Sequence, residues 1–568
     1  WYEKLLGDIS SSKEKIKYLK NYIFSIEDEK KSVEEVDKIY EQLLKELSVQ
    51  LNEIHKINWS LKSWRIFIGP WLNRFIAIIY DRSDVLLPIL GSEDIDCKKQ
   101  LDVGCKISLS SYSMRDFTDK ILKKDWNDKL FCRIIYLIKT NNFDNHHNLV
   151  NSHNHKFEDL KRKTDFFLKI ILFSILRLLF YPITKFNKFV FYKPYFGNLK
   201  NLIKFILKLR DVPFKYSFSF FDNFILKKNF NIKIRNKLNI QKNSENIKEK
   251  ITRHLIKECI PTIYLEGFNS LKNISKKTFL PNSVKTIITF NAWRDNIFKF
   301  WLADQSNNGA KIIYGQHGAG YGTNLKHYAE LHEFKICDKY LTWGWKKNGD
   351  KTLPIGDVSS FQKKNLPYIN NGKILIVAGN INIFKFNNII HDKEDLIKKE
   401  IQMNTFLSNL EKGIIKNLDL KEHPNDRRRD FSIKKIINNK NIKIINLGNN
   451  FEKILKNYEL LVFPYQFATP FLKFLSLNKP CLSFFDDDFL EEEVKQDFIP
   501  LYKVNILHNS PEKMALFLNK NYGNLQGWWA HSETQNAREK FCDKYSNKNV
   551  NFSLLIQELK KSQKILYK

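Results

Sequence analysis

The chain has 568 residues, more than one hydrophobic core can serve, so about two to four domains are expected. Hydrophobic residues at 43% and charged residues at 27% exclude a disordered polymer or an integral membrane protein as the starting expectation. The net charge of +32 admits nucleic acid, an anionic membrane or phosphorylated small molecules as partners, or a simple bias toward Lys, Asn and Ile. No RRM, KH, zinc-finger or bZIP signature is present, so nucleic acid is not an expected partner.

From Lys13 to about Ile57 the apolar residues follow helical spacing, with Val36, Tyr40, Leu43, Leu44, Leu47 and Leu51 on one stripe. The stretch Asn58 to Phe75 carries Trp59, Trp64 and Trp71 around Gly69-Pro70, a pair that predicts a turn; the tryptophans are expected to pack rather than to bind. A helical N-terminal region is therefore expected over 1–142. Residues 143–250 are rich in Lys, Asn and Phe and show little periodicity outside the apolar run Phe166 to Tyr181. Lys169 and Arg177 interrupt that run, and mid-membrane cations cost about 2.5 to 3.5 kcal/mol each, so it reads as a core or membrane-surface helix rather than a span. The seven cysteines are scattered without a CxxC pair, as expected of a reducing compartment. No basic and then apolar leader follows Trp1, and a cytoplasmic location is expected.

At Thr262 short apolar runs begin to alternate with helical patterns. TIYLEGF, VKTIITF, GAKIIYGQ and DKYLTWGW read as strands, and FKFWLADQS as a helix. A second series follows Asn371: KILIVAG, a helix through LIKKEIQMNTFLSNLEKGI, then LDLKEHP, NIKIINL, ELLVFPY and PCLSFF. Such alternation implies parallel βαβ units. The reading is an α/β chain with two Rossmann-like domains, 251–360 and 371–509, facing a cleft, and C-terminal helices over 510–568. Ligands of open α/β sheets bind beyond the carboxyl ends of the strands.

Three segments fall at such ends. GQHGAGYG, Gly315 to Gly322, follows the strand-like KIIY; its glycines let backbone approach a ligand, and His317 can serve as general base or phosphate contact. A glycine-rich turn with a structural histidine is the competing reading. The spacing is neither GxGxxG nor Walker A. Downstream, AELHEFKICDKY offers Glu330, His332, Glu333 and Asp338, with Glu333 the expected functional acid and no metal site expected. KEHPND places His423 and Pro424 after a strand, with Arg427 to Arg429 behind them as phosphate contacts or a solvated helix start. In FATPFLKF, Thr469 is expected to cap a helix whose amides form an anion site.

The order GQHGAGYG, CDKYLTWGW, KEHP, FATPFLKFLSLNKP, together with WRIFIGPWLNRF, YDRSD, YLEGF and WWAHSETQNAREKF, resembles a family of transferases of surface-carbohydrate, O-antigen-type biosynthesis loci over nearly the whole chain. That resemblance implies a start upstream of Trp1. The C-terminal part is similar to CDP-glycerol glycerophosphotransferases and, more distantly, to CMP-Kdo transferases, which implies a GT-B-like fold. By that likeness His317 and Gly318 take the places of a Trp-His-Gly-Thr motif whose histidine is the base, with Gln316 where the tryptophan stands. His423 of the His-Pro pair takes the donor phosphates, and Ala468 and Thr469 replace a pair of serines there.

The resulting expectation is a glycosyltransferase moving a sugar from a nucleotide-activated donor, CMP- or CDP-linked, to an O-antigen- or capsule-type glycan precursor. His317, Gln316 and Glu333 form the catalytic set; Gly318, His423, Pro424, Thr469 and Arg427 hold the donor. No metal or other cofactor is expected. A free or lipid-linked glycan is the acceptor, and the inner face of the cytoplasmic membrane, through its anionic surface, is a further candidate partner. A polyol-phosphate transferase of the CDP-glycerol kind and a nonenzymatic polyanion- or glycan-binding protein are the alternatives.

Overall fold

The computed structural model describes residues 26–90, 109–141, 143, 189–192, 203, 205, 207, 214–216, 230–240, 244–277, 280–293, 295–325, 327–347, 349–361, 363–378, 395–421, 442–445, 455, 457–464, 468–484, 487 and 490–564. Two compact units form, 1–194 with 212–312 and 195–211 with 313–568.

In the first unit, α1 (Ile26–His55) buries the predicted stripe of Val36, Tyr40, Leu43, Leu44, Leu47 and Leu51 against α2 (Leu61–Leu90). Asn52 ties the connection: its Oδ1 accepts from the Trp59 amide at 3.0 Å and from Trp64 Nε1 at 2.9 Å. The turn expected at Gly69-Pro70 does not form, and α2 runs through it. Pro70 forfeits one backbone bond, at a usual cost of about 3 kcal/mol. Against that stands a helix buried nearly all round, with Trp64, Phe67, Trp71 and Phe75 inaccessible. It packs on α1, α3 (Lys124–Thr140), α4 (Ile247–Cys259) and α6 (Asn296–Asn307). Trp59, Trp64 and Trp71 are core, as expected.

TIYLEGF is not a strand. Thr262–Tyr264 makes a 3-10 turn after Pro261, the Gly267 amide returns to the Thr262 carbonyl at 2.7 Å, and α5 (Phe268–Lys277) begins at once. A short apolar run buried on every side has no periodicity of its own to distinguish the two states. Conversely, two strands arise within 143–250: β1 (Phe189–Tyr192), buried throughout, and β2 (Phe214–Tyr216). They join β3 (Thr286–Thr289), β4 (Lys311–Gly315), β5 (Lys339–Thr342) and β6 (Thr352–Pro354) in the order β2-β1-β3-β4-β5-β6. The division between the units falls inside β4.

The second sheet lies wholly in the second unit. β7 (Ile374–Val377), β8 (Leu418–Lys421), β9 (Lys443–Ile445), β10 (Leu460–Phe463), β11 (Cys481–Phe484) and β12 (Leu507–His508) take the order β12-β11-β10-β7-β8-β9, every neighbour parallel. Counted from β7, this is the doubly wound dinucleotide-fold order, whose direction of winding reverses between β7 and β10. The core beneath it joins Ile374, Ile376, Leu460, Val462 and Leu482 with Met403 and Phe406 of α8 (Asp395–Ser408) and Met514 and Leu518 of a later helix, Pro511–Asn521. The stretch before β7 is fastened by Glu459, whose carboxylate accepts from the Asn371 amide at 3.0 Å, the Gly372 amide at 2.6 Å and the Tyr368 hydroxyl.

The α/β, GT-B-like class is therefore present as two Rossmann-like parallel sheets with a helical N-terminal region and C-terminal helices. No helix among the described residues is long and apolar enough to cross a membrane, and the Phe166 to Tyr181 run lies outside them. The five described cysteines are buried.

Candidate active site

GQHGAGYG leaves the carboxyl end of β4, where a parallel sheet presents its ligands. Gln316 sets its start. The residue is 2% exposed, and its amide oxygen accepts from the Trp343 amide at 3.0 Å and Trp345 Nε1 at 2.9 Å while its nitrogen donates to the Gly318 carbonyl at 2.9 Å. Expected in the catalytic set, Gln316 is occupied with the wall of the loop, because a buried amide must spend its polar atoms on partners.

The loop's turns need glycine: Gly320 has φ +88° and Gly322 φ +69°, and a Cβ on Gly322 would meet the Trp345 ring at 2.4 Å. At its far end the Gly322 amide donates to Glu330 Oε2 at 2.8 Å, and the Thr323 carbonyl accepts from the Glu491 amide at 2.9 Å.

His317 is partly exposed, its side chain at 19%. Its Nδ1 lies 3.1 Å from the Tyr321 hydroxyl and 3.8 Å from Glu333 Oε1. Tyr321 donates to Glu333 Oε1 at 3.4 Å, and Tyr340 on β5 donates to Oε2 at 2.8 Å. With that proton given to the carboxylate, the phenol oxygen can accept from a ring N–H of His317, and it lies nearer to Nδ1 than to Nε2, 3.1 Å against 3.4 Å. A hydrogen on Nδ1 would make Nε2 the basic nitrogen of the neutral ring. Glu333 is 1% exposed; burial drives its carboxyl well above the ordinary range, with the two phenol bonds opposing.

Glu330 and Glu333 both belong to α7 (Tyr328–Ile336), which His327 caps by accepting the Glu330 amide at 3.2 Å. Burial, with the nearby His317 adding to it, lowers His327 to about 3, so it serves the cap as a neutral ring. Tyr321, Tyr340 and His327 escaped sequence reasoning, and the spacing of Glu330 and Glu333 by one helical turn is the signal that could have directed attention to this face.

The structure brings Thr469 to this loop. It opens α9 (Thr469–Ser476), which follows β10 at the winding reversal of the second sheet, and its Oγ1 accepts from the Ala319 amide at 3.0 Å. A Cβ on Gly318 would lie 3.1 Å from that oxygen. Thr469 is not the expected cap. Ala468 holds the cap position without a side-chain bond, and the Thr469 hydroxyl turns to the loop instead. His423, Pro424 and Arg427, expected at the donor phosphates, lie outside the described residues beyond the end of β8.

The chain is similar in structure to a glycosyltransferase from Rickettsia africae ESF-5, at 14% identity and TM-score 0.35, covering 67% of this chain and 99% of that one. The wall teichoic acid polymerase TagF shows 11% identity and TM-score 0.32 over 72% of this chain and 100% of its own. Anabaena Alr3699/HepE, solved with UDP and glucose, shows 8% identity and TM-score 0.32 over 66% and 99%. A search of curated proteins found no match. The LIC12162 family transferase pattern matches residues 1–559, and the chain belongs to that family of transferases.

Proposed function

We propose that this transferase moves a glycosyl group from a nucleotide-activated donor, CMP- or CDP-linked, to a hydroxyl of an O-antigen- or capsule-type glycan precursor, free or lipid-linked. The observation that carries the reading is the His317–Tyr321–Glu333 chain on a loop in contact with the start of α9. Nε2 of His317 takes the acceptor hydroxyl's proton as that oxygen bonds to the anomeric carbon. The bond from that carbon to the donor phosphate breaks, and its electron pair leaves with the nucleotide. Glu333 orients the imidazole through the Tyr321 hydroxyl and, where it is ionised, balances the imidazolium so formed. The Thr469 and Phe471 amides at the start of α9 and the Thr469 hydroxyl, with Gly318, His423 and Pro424 by resemblance and Arg427 by its charge, hold the donor phosphates, so no metal or other cofactor has a role in this scheme.

Transfer from a panel of CMP-, CDP-, UDP- and GDP-sugars, read by product mass, tests this. A glycosyl increment supports the reading; a glycerophosphate increment replaces it with polyol-phosphate transfer. Loss of a general base costs on the order of 10²- to 10⁴-fold, so that drop in turnover is expected of His317→Ala; wild-type turnover in that variant would remove His317 from the mechanism. The +32 charge supports action at the inner face of the cytoplasmic membrane. Flotation with anionic liposomes is expected and should weaken with salt; absence of flotation at low salt would count against it.

A further inference from the structure

The loop bearing His317 is gripped from α7 at two points one turn apart, and only one of them, Glu333, belongs to the chain that orients the imidazole. The other grip is Glu330 on the Gly322 amide. Gly322 directly follows Tyr321, the residue whose hydroxyl stands between His317 and Glu333. Tyr321 is 2% exposed; its ring lies 4.3 Å from that of His327 and stacks at 6.3 Å on Tyr340, so its side chain has little freedom apart from its backbone.

We infer that Glu330 is a positioning residue for His317, acting through the Gly322 amide and the Tyr321 hydroxyl, in the proton transfer proposed above. The inference rests on His317 being the base. The left-handed turn at Gly320 and Gly322 is closed by the Asn324 amide on the Gly320 carbonyl at 3.0 Å, and the Glu330 carboxylate holds the Gly322 amide inside it. A charge-assisted bond to an amide suits that task better than a neutral one. Glu330 is surrounded by groups that answer to its charge. His327 caps its helix and Glu333 stands on it, Lys347 follows β5, and Glu491, ion-paired to Lys347, comes from the segment that also bonds the Thr323 carbonyl. Lys347 favours its ionised form and Glu491 disfavours it, with burial the larger influence.

The test compares Glu330→Ala, Glu330→Gln and Tyr321→Phe in the full chain for kcat, donor KM and the His317 tautomer. The tautomer is read from long-range proton–nitrogen spectra of histidine-labelled protein, with the His317 signal assigned by its loss in His317→Ala. Glu330→Ala and Tyr321→Phe are each expected to lower kcat at least about tenfold at nearly constant donor KM and to reduce the Nδ1–H form. Glu330→Gln keeps an acceptor oxygen toward Gly322 and is expected to recover most of what Glu330→Ala loses. If Glu330→Ala does not fold, Glu330→Asp, which withdraws the carboxylate, takes its place with the same expectation. An unchanged tautomer and a kcat within about twofold of wild type would overturn the inference while a dead His317→Ala leaves the base in place. An active His317→Ala overturns both.

Discussion

Glu330 and Glu333 are one turn apart on α7, yet sequence reasoning could single out only the second as a functional acid, because which amide or imidazole a carboxylate meets depends on the fold of a loop eight or more residues away. His317 was legible since glycines surround it just after a strand; Tyr321 and Tyr340 were not, as aromatic residues beside strands usually mean core. Burial raises Glu330 from 4.5 to about 7. The folded state thus holds this proton more tightly than the unfolded chain does. The associated stability is complete below about pH 4.5 and is lost as pH rises through about 7, up to about 3 kcal/mol for a shift of this size. Glu330→Gln carries no such proton. Its thermal midpoint is expected to fall less than that of wild type between about pH 5 and about pH 8, and equal falls would contradict the assignment.

Among the elements, most parallel strands after Thr262 could be read as short apolar runs between helical patterns. The failures have a common cause. TIYLEGF and the Gly69-Pro70 site are segments whose local signals are outweighed by burial on all sides, and FVFY at β1 becomes a strand through its neighbours β2 and β3. Trp71→Ala in α2 removes a fully buried indole, so about 3 to 5 kcal/mol of stability should be lost in denaturant unfolding, far more than an exposed turn residue would cost. Gly322→Ala is expected to lose several kcal/mol or to displace the loop, since it adds a Cβ at φ +69° within 2.4 Å of Trp345. A crystal structure of that variant with an unmoved His317 loop would refute the packing argument.

For the whole molecule, a donor that binds only the folded chain must raise its stability by mass action, about 2.7 kcal/mol at a hundredfold excess over Kd. A thermal-shift screen over CMP, CDP, UDP and GDP and their sugars should therefore single out one nucleotide, and no shift with any of them would oppose the donor assignment. The sequence by itself determined the α/β class, two βα series and the three segments at strand ends, because hydrophobic periodicity and glycine or proline punctuation are local properties of the chain. Only the tertiary structure decided that β1 and β2 join the first sheet, that the second sheet reverses its winding at β7 and β10, and that Thr469 bonds the loop of His317 rather than its own helix. Those outcomes depend on which distant groups can satisfy a buried amide or cover an apolar face, and spacing along a chain does not carry that information.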